Sequence, residues 1–236
     1  MVYNHLMSDL NGILLIDKPK TWTSFDVVAK VRGTIKRATG QKIKVGHTGT
    51  LDPNATGLLV LAIGKATKQI DGLMKQDKIY EAELTLGKSS DTDDSDGELS
   101  QVSDLVPALE EIETALETFI GEIQQIPPAY SAIKVDGKRA YKVAREGRKV
   151  VIVPRTVKIK SINDVKYEYP ILSFVTDVGS GTYIRSIARD LGETLGTGAY
   201  LSNLRRLSVG DYSVQSALPI DKLNMESIQS NINTLA

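Results

Sequence analysis

Gly46-His47-Thr48-Gly49-Thr50-Leu51-Asp52-Pro53-Asn54-Ala55-Thr56-Gly57 runs directly into Leu58-Leu59-Val60-Leu61-Ala62-Ile63. The first part is built to bend, because its three glycines and one proline break helix and strand alike. Pro53 also biases Asp52 away from the α region toward an extended backbone. The unbroken apolar run that follows reads as a fully buried strand. A single carboxylate, Asp52, therefore sits on a loop anchored in the core, a common way to hold a reactive group on a rigid support.

Neighbouring segments supply the rest of a scaffold. Gly12-Ile13-Leu14-Leu15-Ile16 is a short buried strand ended by Asp17-Lys18-Pro19. Thr23-Ser24 offers an N-cap with Asp26 in the first turn. Phe25, Val28, Val31 and Ile35 then recur at helical spacing, predicting an amphipathic helix over 24–37. Tyr80, Ala82, Leu84 and Leu86 alternate with polar residues as in a half-buried strand. Leu105, Leu109, Ile112, Leu116 and Phe119 mark a second helix. Val150 to Lys160 and Ile171 to Val178 read as strands, the first with Pro154 suggesting an edge. Thr182 to Leu195 reads as a third helix with Gly196 as C-cap. Strands and helices mix without a regular βαβ repeat, which favours an α+β domain with a mixed or antiparallel sheet.

Composition narrows the function classes. The 236 residues contain no cysteine, which excludes disulfides and thiolate metal sites. No apolar run is long enough to span a bilayer, and Met1 to Leu10 lacks the apolar core of a signal peptide. A cytoplasmic protein is expected. The net charge is zero, with 29 basic and 29 acidic residues, yet the charges are segregated. Ser89 to Ile123 holds eleven acids and no Lys or Arg. Gln124 to Arg155 holds eight cations (Lys134, Lys138, Arg139, Lys142, Arg145, Arg148, Lys149, Arg155) against Asp136 and Glu146. On charge alone, a footprint for a polyanion and an ordinary solvated surface are equally compatible with this segment. Tyr130 and Tyr141 among those cations add a composition in which aromatics stack bases while cations meet phosphates.

Each candidate site residue has a plainer reading. An Asp before Pro in a Gly-rich loop is most often a turn-former, and no second acid stands in the loop for a glycosidase-type pair. A lone carboxylate can still act as nucleophile if a cation keeps it ionised. His47 has only His5 as a possible co-ligand, so a metal site is not expected; a hydrogen-bonding or stacking histidine is the better reading. Asp91-Thr92-Asp93-Asp94-Ser95-Asp96-Gly97 fails the calcium-loop template, since Thr92 and Ser103 fall where Asp and Glu are required. It is read as a polar turn. Gly64-Lys65-Ala66 is not a Walker A motif. Arg185, one turn into the third helix, reads most simply as a surface arginine; yet helix starts favour acids over cations, so a cation there needs a partner, and a loop carboxylate would serve. Arg205-Arg206 reads either as a phosphate contact or as exposed charge.

Taken together these segments resemble the TruB family, the bacterial tRNA pseudouridine-55 synthases. Gly12 to Pro19 is similar to the family's opening strand, and Gly46 to Gly57 to its catalytic loop. Tyr80 through Leu86-Gly87, with Thr92 and Gly97, resembles its next motif. Ile126-Pro127 with Tyr130-Ser131-Ala132-Ile133-Lys134, then Gly181-Thr182-Tyr183-Ile184-Arg185, then Leu204-Arg205-Arg206-Leu207 follow in order. The resemblance covers Gly12 to about Gly210. It implies a pseudouridine-synthase fold: one α+β catalytic domain over 1–236, with a central mixed, mainly antiparallel sheet flanked by helices. It implies a basic thumb-like insertion at about 124–153 and a short C-terminal segment at about 211–236. Many members carry a further RNA-binding domain of the PUA type, for which 211–236 is too short.

The resemblance also implies an activity, the isomerisation of a uridine in the T-loop of tRNA to pseudouridine, and a set of roles. Asp52 is the nucleophile. Arg185 pairs with it and keeps it ionised. Tyr80 stacks on the target base and helps remove the C5 proton. His47 meets the RNA near the flipped nucleotide, and Tyr183 and Leu204 line the pocket. Lys138, Arg139 and Lys142 belong to the thumb that closes on the T-stem-loop. No cofactor, metal, membrane or obligate protein partner is implied. Attack at C1′ of the ribose and addition to C6 of the base both remain open. The rival reading is a tRNA-binding and folding chaperone that uses the same surface without chemistry.

Overall fold

The computed structural model describes residues 10–233 except 136 and 149. His5, Asp136 and Lys149 lie outside the described residues. Along the chain, β1 (Gly12–Lys18) leads to α1 (Ser24–Thr39), β2 (Val45–His47) and β3 (Thr56–Ile63). After a 3-10 turn come α2 (Ile70–Met74), β4 (Lys78–Leu86), β5 (Lys88–Ser90), β6 (Leu99–Gln101), α3 (Leu109–Glu117) and β7 (Gly121–Gln125). Next are β8 (Lys134–Val135), β9 (Lys138–Arg139), α4 (Ala140–Arg145), β10 (Arg155–Glu168) and β11 (Ile171–Val178). The chain closes with α5 (Ile184–Thr194), β12 (Ala199–Val209), β13 (Tyr212–Ser213), β14 (Leu218–Pro219) and α6 (Met225–Asn231). Two compact units result: one up to Tyr80 joined by the chain from Arg205 onward, the other Glu81–Leu204. Strands β4 and β12 each run through a boundary between them.

In the first unit β1 pairs antiparallel with β3 and parallel with β14, and β12 joins β3 in parallel at Arg205↔Thr56 and Arg206↔Gly57. The apolar run of β3 is buried on both faces, which is why it shows no alternation. Leu59, Leu61 and Ile63 pack with Leu14 and Ile16 on one face, against Val27, Val28, Val31 and Ile35 of α1. Leu58, Val60 and Ala62 pack with Ile13 and Leu15 on the other. Helix α1 starts as expected. Thr23 caps it in a box with Asp26, the Thr23 amide donating to the Asp26 carboxylate at 2.9 Å and its hydroxyl accepting from the Asp26 amide at 3.0 Å. Gly40 ends it in the left-handed region, donating to the Lys36 carbonyl at 2.9 Å. Phe25 departs from expectation and is 65% exposed. The buried stripe runs through Ser24, Val27, Val31 and Ile35, and Phe25 lies about 120° around the helix from its centre.

In the second unit the strand order is β4-β11-β10-β7, with β10 antiparallel to both β11 and β7. Strand β4 alternates as its sequence predicts, with Ala82, Leu84 and Leu86 buried. Several expected boundaries move, two of the starts most of all. The second helix begins at Leu109 rather than Leu105, because Pro107 disfavours helix in the residue before it; Leu105 is exposed. The strand expected from Val150 begins at Arg155, where pairing with Gln125 starts, so Pro154 stands just outside it and Val151 and Val153 are exposed. The fold is α+β, with mixed, mainly antiparallel pairing and flanking helices.

Candidate active site

The loop that carries Asp52 is fixed from three sides within the first unit. Ser24, buried at the first turn of α1, accepts from the Leu51 amide at 2.8 Å and donates to the Leu51 carbonyl at 3.0 Å. Lys18, fully buried at the end of β1, donates to the carbonyls of Pro19 (3.0 Å), Trp22 (2.6 Å) and Pro53 (3.2 Å). Arg206 on β12 donates through Nε to the Leu58 carbonyl at 2.7 Å, and through its two terminal nitrogens to Thr50 (3.4 Å) and Gly49 (3.1 Å). The residues on both sides of Asp52 are thus held by groups from three separate elements. Asp52 itself is half-buried, and the Ala55 amide closes a turn onto its carbonyl at 3.1 Å.

These cations set the electrostatics. Burial pushes the Lys18 ammonium down to about 8; Asp52 opposes that shift and Arg206 adds to it. Lys78 on β4 is lowered to about 8 by burial and then by Arg206. It donates to the carbonyls of Met74 (3.1 Å) and Gln76 (2.6 Å). Burial and then Arg206 also lower His47, which favours a neutral imidazole. His47 ends β2, opposite Leu61, and its Nδ1 is buried without a hydrogen-bond partner among the described residues. Tyr80 is 8% exposed, on the same buried face of β4 as Lys78.

The second unit builds a different cluster. Gln125 is fully buried and clamps the main chain of Tyr183, accepting from its amide at 2.8 Å and donating to its carbonyl at 3.1 Å. Tyr183 precedes α5, so this clamp sets where the helix begins. Arg155 donates to the Gly181 carbonyl and lies over the Tyr183 ring at 5.0 Å. It is therefore taken up in structure rather than offered to a polyanion. Arg185 is 7% exposed. Its guanidinium meets the Asp94 carboxylate at 3.1 Å, the Thr92 carbonyl at 3.2 Å and the Tyr130 carbonyl at 3.1 Å. One turn later Arg189 pairs with Asp93 at 3.1 Å and donates to the Ile126 carbonyl at 2.9 Å. Burial pushes Asp93 up to about 6, against the pull of Arg189 and Arg185. The acidic segment read as a polar turn is thus the carboxylate partner of two helix cations.

Lys138 and Arg139 lie on β9 of a two-stranded hairpin with β8, and Lys142 on α4; all three are exposed. Arg145 covers the Tyr141 ring at 5.5 Å, and Arg148 pairs with Glu146. Leu204 is half-buried on β12.

The structure therefore places Asp52, His47 and Tyr80 in the first unit, and Arg185, Tyr183, Leu204, Lys138, Arg139 and Lys142 in the second. Sequence reasoning missed Lys18, Lys78, Ser24 and Gln125 as supports. It also misjudged Arg206, which is 1% exposed; Arg205 pairs with Asp17 at 2.7 Å. For Lys18, Lys78 and Arg206 the available signal was a charged residue inside or abutting an apolar strand. Among the described residues no group of three or more His, Cys, Asp or Glu could hold a metal ion. None of their helices is long and apolar enough to cross a membrane.

Known proteins share this fold. The chain is similar to the solved structure of a Cbf5-Nop10-Gar1 complex, with TM-score 0.67 and 31% identity over 90% of this chain and 53% of that one. It is also similar to an H/ACA RNP bound to a substrate RNA containing 2'-deoxyuridine, with TM-score 0.65 and 28% identity. The chain spans about half the length of these structural neighbours. Sequence comparison places the chain in the class of pseudouridine synthases. The profile of the TruB family pseudouridylate synthase N-terminal domain matches residues 36–184, and that of the tRNA pseudouridylate synthase B C-terminal domain matches 185–233. The tRNA pseudouridine synthase B of Clostridium acetobutylicum is 43% identical over 94% of this chain and 75% of its own length. That of Chlorobaculum tepidum is 45% identical over 92% and 90%. The chain belongs to the TruB family of pseudouridylate synthases.

Proposed function

We propose that the protein isomerises uridine to pseudouridine in tRNA, at uridine 55 of the T-loop, with Asp52 as nucleophile. The observation that carries this reading is the Asp52 loop, whose flanks are fixed by Ser24, Lys18 and Arg206. Such bracing is more than a turn needs and is what a carboxylate aimed at one atom requires. In the reaction the N1–C1′ bond breaks, the uracil turns, and a C5–C1′ bond forms. The proton lost from C5 is balanced by one gained at N1, so nothing is oxidised and no group enters from outside. Attack at C1′ and addition to C6 both need an ionised carboxylate. Arg185 is the cation assigned to keep Asp52 in that state, and Tyr80 the ring assigned to the target base. His47, Tyr183 and Leu204 are assigned to the flipped nucleotide, whose extrusion costs a few kcal/mol that pocket contacts must offset.

The thumb cations Lys138, Arg139 and Lys142 are assigned to the T-stem-loop, read through shape and backbone. The same exposed cations favour a second reading, a tRNA-folding chaperone, since they bind RNA whether or not chemistry follows. The reading puts the protein in the cytoplasm, with tRNA. Tritium release from C5-labelled uridine in a T-arm RNA tests it. Native protein should release tritium and Asp52→Asn should not. Absent release from native protein, or equal release from the variant, rejects the enzyme.

A further inference from the structure

We infer that Arg206 is a positioning residue for Asp52, holding the two ends of the catalytic bend at a fixed separation through one planar guanidinium. The inference rests on the isomerase reading above. A buried arginine is normally paired with a carboxylate, because an uncompensated buried charge is costly. Arg206 is among the most buried side chains of the first unit, yet among the described residues its hydrogen bonds all go to main-chain carbonyls. Gly49 and Thr50 precede Asp52, and Leu58 follows it. A single rigid fork thus joins the strand after the bend to the chain that enters it.

The main chain of Arg206 is locked to the same bend. It lies in register opposite Gly57, which has φ +96°, and a Cβ added there would come 2.3 Å from the Arg206 carbonyl oxygen. Backbone and side chain of one residue therefore contact the loop at two levels. The arrangement is costly, since Arg206 disfavours the charged forms of Lys18 and Lys78 beside it. An apolar side chain would fill the space without that repulsion. What a guanidinium adds is planar donors in fixed geometry. Arg205, next along the strand, spends its fork on Asp17 instead.

Two variants and two measurements test the assignment. Arg206→Met keeps the apolar stem, and Arg206→Lys keeps the charge without the fork. Hydrogen exchange is followed at the amides of Thr48, Leu51 and Ala55, with β1 amides as an internal control. Both variants should exchange faster at the loop while β1 is unchanged. Steady-state turnover of a T-arm RNA should show kcat lowered about 100-fold in Arg206→Met, with KM held within about twofold. Arg206→Lys should recover part of the loss. If Arg206→Met does not fold, Arg206→Lys carries both measurements. Loop exchange equal to native, kcat within about threefold of native in every folded variant, or a loss confined to KM overturns the assignment. A native protein without turnover instead rejects the isomerase reading, and the exchange data then report separately on whether Arg206 holds the loop.

Discussion

Lys18 reaches Pro53 across 35 positions of sequence, its Nζ donating to the carbonyl at 3.2 Å, so that a buried ammonium holds the residue directly after Asp52. All three ammonium protons are used, on Pro19, Trp22 and Pro53. A neutral amine has two, so one carbonyl must be released when Lys18 loses its charge.

Activity should therefore fall as pH rises through about 8, the value to which burial lowers Lys18. Stability should respond in the opposite sense. Between about 8 and 10.5 the unfolded chain keeps this proton and the native one does not. The cost of burying the charge is thus full below about 8 and gone above 10.5. Lys18→Met should show lower kcat at pH 7 and no alkaline limb. Lys78→Met should keep the limb, because the carbonyls of Met74 and Gln76 lie outside the loop. Turnover and urea denaturation across pH 7–10 read both effects.

Gly57→Ala should be among the most damaging single changes in the first unit. The backbone is in the left-handed region and the new methyl would meet Arg206 main chain at 2.3 and 2.8 Å. A loss on the order of 3 kcal/mol is expected from urea unfolding. Gly40→Ala, where φ is also positive but nothing lies within 4 Å, should cost less.

Asp93 makes the stability of the second unit depend on pH. Its native pKa, about 6, lies above the ordinary 3.8. The native chain binds the proton in that window where the unfolded chain has lost it. The contribution of Asp93 is full below 3.8 and is lost as pH rises through about 6. Asp93→Asn, uncharged throughout, should gain stability relative to native protein as pH is raised from about 4 to 7, by up to about 3 kcal/mol. Denaturant unfolding of both proteins at four pH values measures it.

The thumb should dominate the salt dependence of RNA binding. Replacing Lys138, Arg139 and Lys142 with alanine should lower the slope of log affinity against log salt by about 2–3. Fluorescence titration of a T-arm RNA at increasing potassium chloride measures the slope. An unchanged slope places the phosphate contacts elsewhere.

Much of the fold was legible because its signals are local. The unbroken run in β3, the alternation in β4 and the Thr23–Asp26 box each lie within a few residues, and the structure follows them. Expectations failed where a local signal was overridden. Phe25 has helical spacing to Val28 yet falls off the buried stripe, and Pro107 cut the second helix short. At the site, the carboxylate, the helix cation and the exposed thumb charges stood out as residue types in place. Their partners did not. The acidic turn looked solvated, but Asp94 meets Arg185 across 91 positions and Asp93 meets Arg189 across 96.

By itself the sequence determined which stretches bury both faces, which bury one, where the chain must bend, and that one carboxylate stands at the bend beside a buried strand. Those properties follow from side-chain hydrophobicity and backbone restriction, which act over a turn or two of chain. Only the tertiary structure decided what each charge is for. Arg206 looked like surface charge and is buried against the carbonyls of Gly49, Thr50 and Leu58, because β12 lies parallel to β3 in one register. A charge is paired, spent on backbone or left to solvent according to which distant segment the fold brings within hydrogen-bond reach, and no periodicity in the chain encodes that distance.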